Sequence, residues 1–507
     1  MVHRQGDVAD LVAGVDVATS DVRVAVSDGD GHVRAFTTTS LPAPSRPRSG
    51  WSEQDPAVWW PGVVKALRQA TDALDGGDGR IVSVCVSATS GTVMLAGADG
   101  EPIGPALMYD DQRASAEAER AQEAAASRWE SLGLRISASF GLPKWAWLLS
   151  QAGEAGDAGK VRWAWHVSDL VICRLTGADV TTDTSHALKS GYDPLRREWA
   201  GEAMDALGIP AEVLPEVRAP TTRVGTVSSE AASSTGLPAG CEVRLAMTDS
   251  CASQVAAGAD QPGRFVSVLG TTLAVKGVTT ELVRDPTGAV YSHWHPDGWW
   301  LPGGASNTGG AALKEHYGDT DLAALDRRAS EHGPAGFVCY PLLGSGERFP
   351  FVQPDAEGFR EGSPDDDVDA YRAMLEGVAF LERLGLAHLA ALGAGLDPPL
   401  AVAGTASRSP AWNAIRATTL GVPLVVPARA DTSFGACVLA AVGSIHENLA
   451  DAARAMVHVE DHVEPVEDER EGLERNYERF VDALDDRGWL EPRLRGAAFT
   501  EVGGAER

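Results

Sequence analysis

The sequence predicts an α/β protein of two similarly built halves, each a mixed sheet covered by helices on both faces, with a cleft between the halves. Three observations carry this reading. Strand-like and helix-like runs alternate along most of the chain. Two hairpins of like character, "LVAGVDVATSDVRVAV" and "RFVSVLGTTLAVKGV", open the two halves. A length of 507 residues exceeds one ordinary core, so two domains of similar size are expected.

Residues 11–37 read as three strands, with a tight turn after the first and "DGDG" as a hairpin turn before the last. "SEQDPAVWWPGVVKALRQATDAL" follows, acidic near its start and apolar at helical spacing. "IVSVCVSATSGTVMLAGADG" is a further strand–turn–strand unit. Helical stretches are expected around 112–130 and 142–176, and "LPAGCEVRLAM" leads back into a strand. In the second half, helices are expected at "ALDRRASEHG" and "AYRAMLEGVAFLERLGLAHLAALGAG". The strand "LAVAG", the turn "TASRSP" and the helix "AWNAIRATTLGV" follow, then "VPLVVP" and "FGACVLAAVGSI" as strand and helix. Turn residues in "GADQPGRF" place the boundary near 255–265. The expected domains are therefore 10–258 and 259–450. An extension over 451–507 should carry an acidic run from 459, an amphipathic helix "LERNYERFVDAL" and a fraying Gly/Ala-rich end.

Hydrophobic residues at 44% and charged residues at 22% describe a globular chain. A formal net charge of −28 argues against nucleic acid and anionic lipid as partners. It leaves room for a phosphorylated ligand, which backbone N–H groups and Mg²⁺ can hold locally. No apolar run approaches the ~20 residues of a membrane span, and the first residues lack a secretory apolar segment. Six cysteines without CxxC spacing read as buried free thiols of a reducing cytoplasm. A cytoplasmic protein without nucleic-acid or membrane partners is expected, and a homodimer is allowed for.

Several short motifs bear chemistry. In "GVDVATSDVR" the turn Ala18–Thr19–Ser20 offers N–H groups and hydroxyls, with Asp16 just before it. That suits a triphosphate and its Mg²⁺, and equally a plain turn capped by its Asp. "LGTTLAV" repeats the arrangement with Gly270, Thr271 and Thr272, and the pairing of two such turns favours a nucleotide. Ser90 and Thr92 in "SATSGTVML" suit a polyol or close a turn. Asp110, Asp111 and Arg113 in "MYDDQRA" suit sugar hydroxyls or an acidic helix start. "GGASNTGGAAL", with Gly304 near its head, allows close backbone approach to a ligand. "AGTASRSPAWN", with Gly404, Thr405 and Ser409, lies where an adenosine would rest in a two-domain nucleotide binder. Asp249 in "MTDSCASQ" is either a helix cap or a positioned carboxylate. His293 and His295 in "HWHPDGWW" lack a third ligand and read as a surface hairpin. Neither a Walker A loop nor GxSxG occurs.

Over about residues 11–445, the chain resembles the FGGY carbohydrate kinases of the actin/hexokinase/Hsp70-like ATPase superfamily. The resemblance rests on "GVDVATSDVR", "GWSEQDPAVWW", "DGEPIGPALMYDDQRA", "SDLVICRLTG", "TDTSHALKSGYD", "MTDSCASQVAAGA", "LGTTLAVKG" and "FGACVLAAVG". "GERFPF" and "SPAWNAIRATTLGVP" look most like the pentulose-kinase branch, ribulokinase- or xylulokinase-like. It implies two ribonuclease-H-like domains and phosphorylation of a sugar hydroxyl by ATP and Mg²⁺ in the cleft between them. By motif, Asp249 becomes the general base and Asp16 the metal-organising aspartate, both at the metal and beside the sugar. Thr19 and Ser20 form the first phosphate turn, and Gly270–Thr272 the second. Ser90 and Asp111 fall on the sugar side, and Gly304, Gly404, Thr405 and Ser409 on the nucleotide side. The expected acceptor is a ketopentose, D-ribulose before D-xylulose. Two departures are visible: Ala18 where the family has Gly, and "GTASRSP" where it has a "GGGAKNP"-like turn. They motivate the competing reading, a non-catalytic sugar- or nucleotide-binding regulator on the same scaffold.

Overall fold

The structure is a computed structural model that describes residues 9–74, 79–178, 181–318 and 320–503. Two compact units emerge. The first holds residues up to Ala256 together with His293–Gly298 and Arg429–Val457; the second holds Ala257–Ser292, Trp299–Ala428 and the residues from His458 on.

Runs of β-branched residues, nearly all buried, build a six-stranded sheet in the first unit. Its order is Arg223–Thr226, Glu242–Thr248, Arg80–Ala88, Asp10–Val17, Asp21–Asp28, Val33–Ser40. Glu242–Thr248, Arg80–Ala88 and Asp10–Val17 run parallel to one another. The next two strands and the far edge strand pair antiparallel. The helix Trp59–Asp72 covers one face with Trp59, Val63, Ala66, Leu67 and Ala70. A small sheet of Glu53–Gln54, Pro102–Leu107, Val93–Ala96 and Trp163–His166 flanks it.

The second unit repeats the pattern. Six strands of its seven-stranded sheet run in the order Trp300–Ala305, Leu273–Gly277, Phe265–Leu269, Leu400–Ala403, Leu424–Pro427, Val459–Val463. Phe265–Leu269, Leu400–Ala403 and Leu424–Pro427 are parallel, and the flanking pairs are antiparallel. The duplication expected from the two hairpins is therefore realised strand for strand. Asp366 caps the helix Asp367–Ala391 through the N–H groups of Val368 and Asp369, and the helix runs through the core of this unit.

Some expectations give way. The stretch 142–176 is interrupted: between the helices Gly141–Glu154 and Val167–Thr176 lies the strand Trp163–His166, whose aromatic residues satisfy either periodicity. The stretch 112–130 forms two helices, Ser115–Ala124 and Ala126–Leu132. The acidic run from 459 is an edge strand, exposed over four of its five residues. Nor is the end of the chain a loose extension. The helix Glu467–Asp486 sends Leu473, Tyr477, Phe480, Val481 and Leu484 into the second core, and the Tyr477 hydroxyl donates to the Ala498 carbonyl at 2.7 Å. Residues 504–507 of the Gly/Ala-rich end lie outside the described residues. All six cysteines are free thiols and five of them are buried, as composition suggested.

Candidate active site

Strand register assembles the first group of residues. Asp16 pairs with Ser87 on the adjacent parallel strand, and Thr248 pairs with Ala88 on its other side. Asp16, the turn holding Ser90 and Asp249 thus emerge at the carboxyl ends of three neighbouring parallel strands, where α/β sheets carry their ligand sites.

The two carboxylates differ in surroundings. Asp16 is 1% exposed. Its Oδ2 accepts from Arg23 Nη1 at 3.2 Å, while Oδ1 is buried without a hydrogen-bond partner. Burial, then the charge of Asp249, pushes Asp16 up to about 7, against the pull of Arg23. Asp249 is half-buried at the start of the helix Asp249–Ala256. Its Oδ1 accepts the Ser250 N–H at 2.7 Å, and Oδ2 meets no partner among the described residues. No N–H deeper in the helix bonds to it, so the carboxylate is not consumed by capping. A partnerless buried oxygen beside a second carboxylate suits a hard divalent cation, which binds oxygen and relieves their repulsion. On this observation the residues fit Mg²⁺.

Asp249 rests on buried polar support that the sequence reading passed over. Asp183 caps the helix Thr184–Leu188 and bonds the Ser185 N–H and hydroxyl and the His186 ring. The Ser185 hydroxyl in turn accepts the N–H of Thr248 at 2.9 Å. The Asp-Thr-Ser order of "TDTSH" was a visible capping signal. A second support comes from far along the chain. The helix Thr432–Ala441, capped by Asp431, packs against Asp10–Val17 and Asp249–Ala256. Side chains at Gly14 and Gly435 would collide with the carbonyls of Ser433 and Ala252, so both positions must stay bare.

Thr19 is half-buried and Ser20 exposed in the first turn, where the Ala18 N–H donates to the Asp21 carbonyl at 3.0 Å. On the expected sugar side, the hydroxyl oxygens of Ser90 and Thr92 are buried without partners. Asp111 is a correction. It is 0% exposed, with Oδ2 accepting the Ser52 N–H at 2.6 Å and both oxygens gripping Arg113 Nε at 2.9 and 3.0 Å. Arg113 also bonds Glu53 and lies 3.7 Å from the centre of the Trp51 ring. Asp111 therefore ties loops together instead of facing a ligand, because a buried carboxylate needs its donors close at hand.

In the second unit, Gly270–Thr272 and Gly404 leave the carboxyl ends of adjacent parallel strands, with Val268 paired to Ala403. Gly270 has open space where a side chain would be, and Thr271 is exposed. Gly404, at φ +90° and ψ −178°, is exposed, and a side chain there would strike the Leu269 carbonyl. Thr405 is exposed beside it, whereas the Ser409 hydroxyl caps the helix Pro410–Leu420 by accepting the Trp412 N–H. Gly304 is a second correction: it is a buried strand residue, bare because the Phe349 ring lies over it. The glycines that do approach the turn are Gly309 and Gly310, whose added Cβ atoms would lie 2.5 Å from Thr272 Cα and 2.6 Å from the Gly270 carbonyl. Glu347 locks this loop, accepting the Ser306 and Thr308 hydroxyls, the Asn307 and Arg348 N–H groups and the Tyr340 hydroxyl. His293 and His295, expected on a surface hairpin, are 1% and 0% exposed, and burial pushes His295 down to about 4. Among the described residues they join no three-residue metal-binding group. No described helix is long and apolar enough to cross a membrane.

Residues 11–256 match the N-terminal domain of the FGGY family of carbohydrate kinases, and residues 265–444 match its C-terminal domain. A xylulose kinase of Streptomyces rubiginosus is 31% identical, over 96% of this chain and 98% of its own. A glycerol kinase of Polaromonas naphthalenivorans is 28% identical over 85% of this chain and 90% of its own. Among solved structures, the xylulose kinase of Rhodospirillum rubrum superposes with a TM-score of 0.84 at 26% identity, covering 94% of this chain and 99% of that one. Two duplicated sheets of the actin-like type, a carboxylate pair suited to Mg²⁺ and these matches converge: the chain belongs to the FGGY family of carbohydrate kinases, phosphotransferases that use ATP with Mg²⁺.

Proposed function

We propose that this kinase transfers the γ-phosphoryl group of ATP to a hydroxyl of a ketopentose. The carrying observation is the buried, partnerless Oδ1 of Asp16 with the Asp249 carboxylate, both at the ends of parallel strands. Because relatives are named xylulose kinases, we rank D-xylulose ahead of D-ribulose, the reverse of the order expected from the resemblance. Asp249 is the general base, its Oδ2 taking the hydroxyl proton as the sugar oxygen attacks phosphorus. The new O–P bond forms as the bond to the bridging oxygen breaks, and ADP leaves. Asp16, with Asp249, would hold Mg²⁺, which would supply neutralisation of phosphate charge. Ser90 and Thr92 offer their hydroxyls to the sugar, and Asp111 acts at one remove through its loop. Thr19 and Ser20 offer N–H and hydroxyl groups to phosphate oxygens, and the turn Gly270–Thr272 offers the same kinds of group. Gly404 and Thr405 are assigned to the nucleoside. Six free thiols fit the reducing cytoplasm in which we place the enzyme, without nucleic-acid or membrane partners.

Purified protein with Mg-ATP, offered D-xylulose, D-ribulose, pentitols and glycerol, is expected to release ADP fastest with a ketopentose. Release no faster than ATP hydrolysis without acceptor, for every member of the panel, refutes the assignment. Sugar binding by calorimetry without any ATP binding would instead favour the regulator.

A further inference from the structure

Lys144 has no part in the scheme above, yet it is 0% exposed near the start of the helix Gly141–Glu154. A buried ammonium is costly unless all of its N–H groups find acceptors. Here they do. Nζ donates to the Gly91 carbonyl at 3.0 Å, the Met108 carbonyl at 2.6 Å and the Ser139 carbonyl at 2.9 Å. Three donors meet three acceptors, and each acceptor lies on a different segment. Gly91 adjoins Ser90 and Thr92. Met108 opens the turn to Asp111, whose N–H donates to the same Met108 carbonyl at 3.0 Å. Ser139 precedes the helix that carries Lys144. The first and third segments also touch, since a Cβ on Gly91, at φ +81°, would lie 2.9 Å from the Ser139 carbonyl.

We infer that Lys144 is a positioning residue for the sugar, its ammonium pinning the segment that bears the Ser90 and Thr92 hydroxyls to the segments of Met108 and Ser139. The inference rests on the kinase reading for what is positioned, but not for the pinning itself. Neither a neutral amine nor an amide satisfies three carbonyls, because each has only two N–H groups. Losing the third bond leaves one buried carbonyl unpaired and frees its segment. Carboxylates of Asp111 and Asp110 face the ammonium and favour it, while Lys189 and Arg113 oppose it. Burial is the largest influence and pulls Lys144 down to about 7. The pin is thus complete below that pH and weakens above it.

Two measurements on the full-length protein decide the matter. Hydrogen exchange of Lys144→Gln against the unaltered protein reads the pin directly. Amides in 89–92, 108–113 and 137–141 are expected to exchange at least tenfold faster, with the second unit unchanged. Equal exchange in all three segments overturns the inference. Steady-state kinetics with the best acceptor of the panel read its service to the sugar. Lys144→Gln is expected to raise the sugar KM about tenfold or more while the ATP KM stays within twofold. In the unaltered enzyme the sugar KM alone is expected to rise as pH increases from 6 to 9. A sugar KM indifferent to both the substitution and pH overturns the positioning role. Should Lys144→Gln fail to fold, the pH series decides. Should no acceptor be phosphorylated, the kinase reading fails and the exchange arm still decides the pin.

Discussion

Asp249 and Asp183 stand two bonds of support apart, and their substitution should read out differently. The Asp249 carboxylate accepts one local N–H, so Asp249→Asn removes little that holds the fold. Stability is expected to change by less than about 1 kcal/mol, while kcat falls by ~10²–10⁴ as the base is lost. Thermal melts and initial rates on the same preparation check both, and retained turnover would reduce Asp249 to a helix start. The Asp183–His186 pair governs pH dependence instead. Burial alone would push the His186 imidazole down, but the adjoining Asp183 carboxylate holds it above its ordinary 6.5. Burial would likewise push Asp183 up, and His186 with Ser185 pulls it below 3.8. A raised histidine contributes stability that is complete below pH 6.5 and is lost as pH climbs through the raised value. A lowered aspartate contributes stability that is complete above pH 3.8 and is lost in acid. Melting temperature is therefore expected to decline on the alkaline side of pH 6.5. His186→Asn should start lower and lose part of that decline. A variant whose melting curve merely shifts, with the alkaline slope unchanged, would show that other groups set it.

Elements meet through bare glycines, and this is where sequence reading was most uneven. Gly435 lets the helix Thr432–Ala441 lie against the backbone of the helix that Asp249 begins. Gly435→Ala sets a methyl group against the Ala252 carbonyl, and neither side of that contact is a flexible chain end. Overpacking of this kind costs ~1–3 kcal/mol, and the displaced helix should lower kcat together with Tm. Gly404→Ala differs, since φ +90° with ψ near 180° is reserved for glycine. Its expected effect is a raised ATP KM, at least tenfold, with the sugar KM unchanged; equal effects on both substrates would deny Gly404 to the nucleoside. Hairpins, the parallel strands and the turns at their ends were legible, because β-branched runs broken by small residues have few other solutions. The positions of Asp16, Ser90, Asp249 and the turn Gly270–Thr272 at strand ends were legible on that basis, while the roles expected of them came from the family resemblance. What was not legible depends on tertiary neighbours. Asp111 looked like a ligand contact because nothing local shows the Ser52 N–H, from far back in the sequence, closing on it. Gly304 looked like a loop glycine because the Phe349 ring above it is 45 residues away. Lys144 sat unnoticed in an apolar helix, since one sequence cannot show which three carbonyls converge on an ammonium.

At the scale of the whole chain, the two copies of the sheet are not two consecutive pieces. Residues Arg429–Val457 return to the first unit after the chain has built most of the second. Among them the helix Thr432–Ala441 is buried along its length and lies on the strand Asp10–Val17 that carries Asp16. A boundary at 258, natural from the turn residues there, would strip this helix away. Phe434, Val438 and Leu439 alone each represent ~1.5–3 kcal/mol of apolar burial. Their sum rivals the ~5–15 kcal/mol by which a whole domain is stable. A fragment of residues 1–258 is therefore expected not to fold alone: near-UV circular dichroism should be weak and urea unfolding broad. Supplying residues 259–507 in trans should restore a cooperative transition, because the missing helix travels on that piece. A fragment that unfolds cooperatively by itself would show that the first sheet closes its own core, and that the returning segment serves only to seat Asp249.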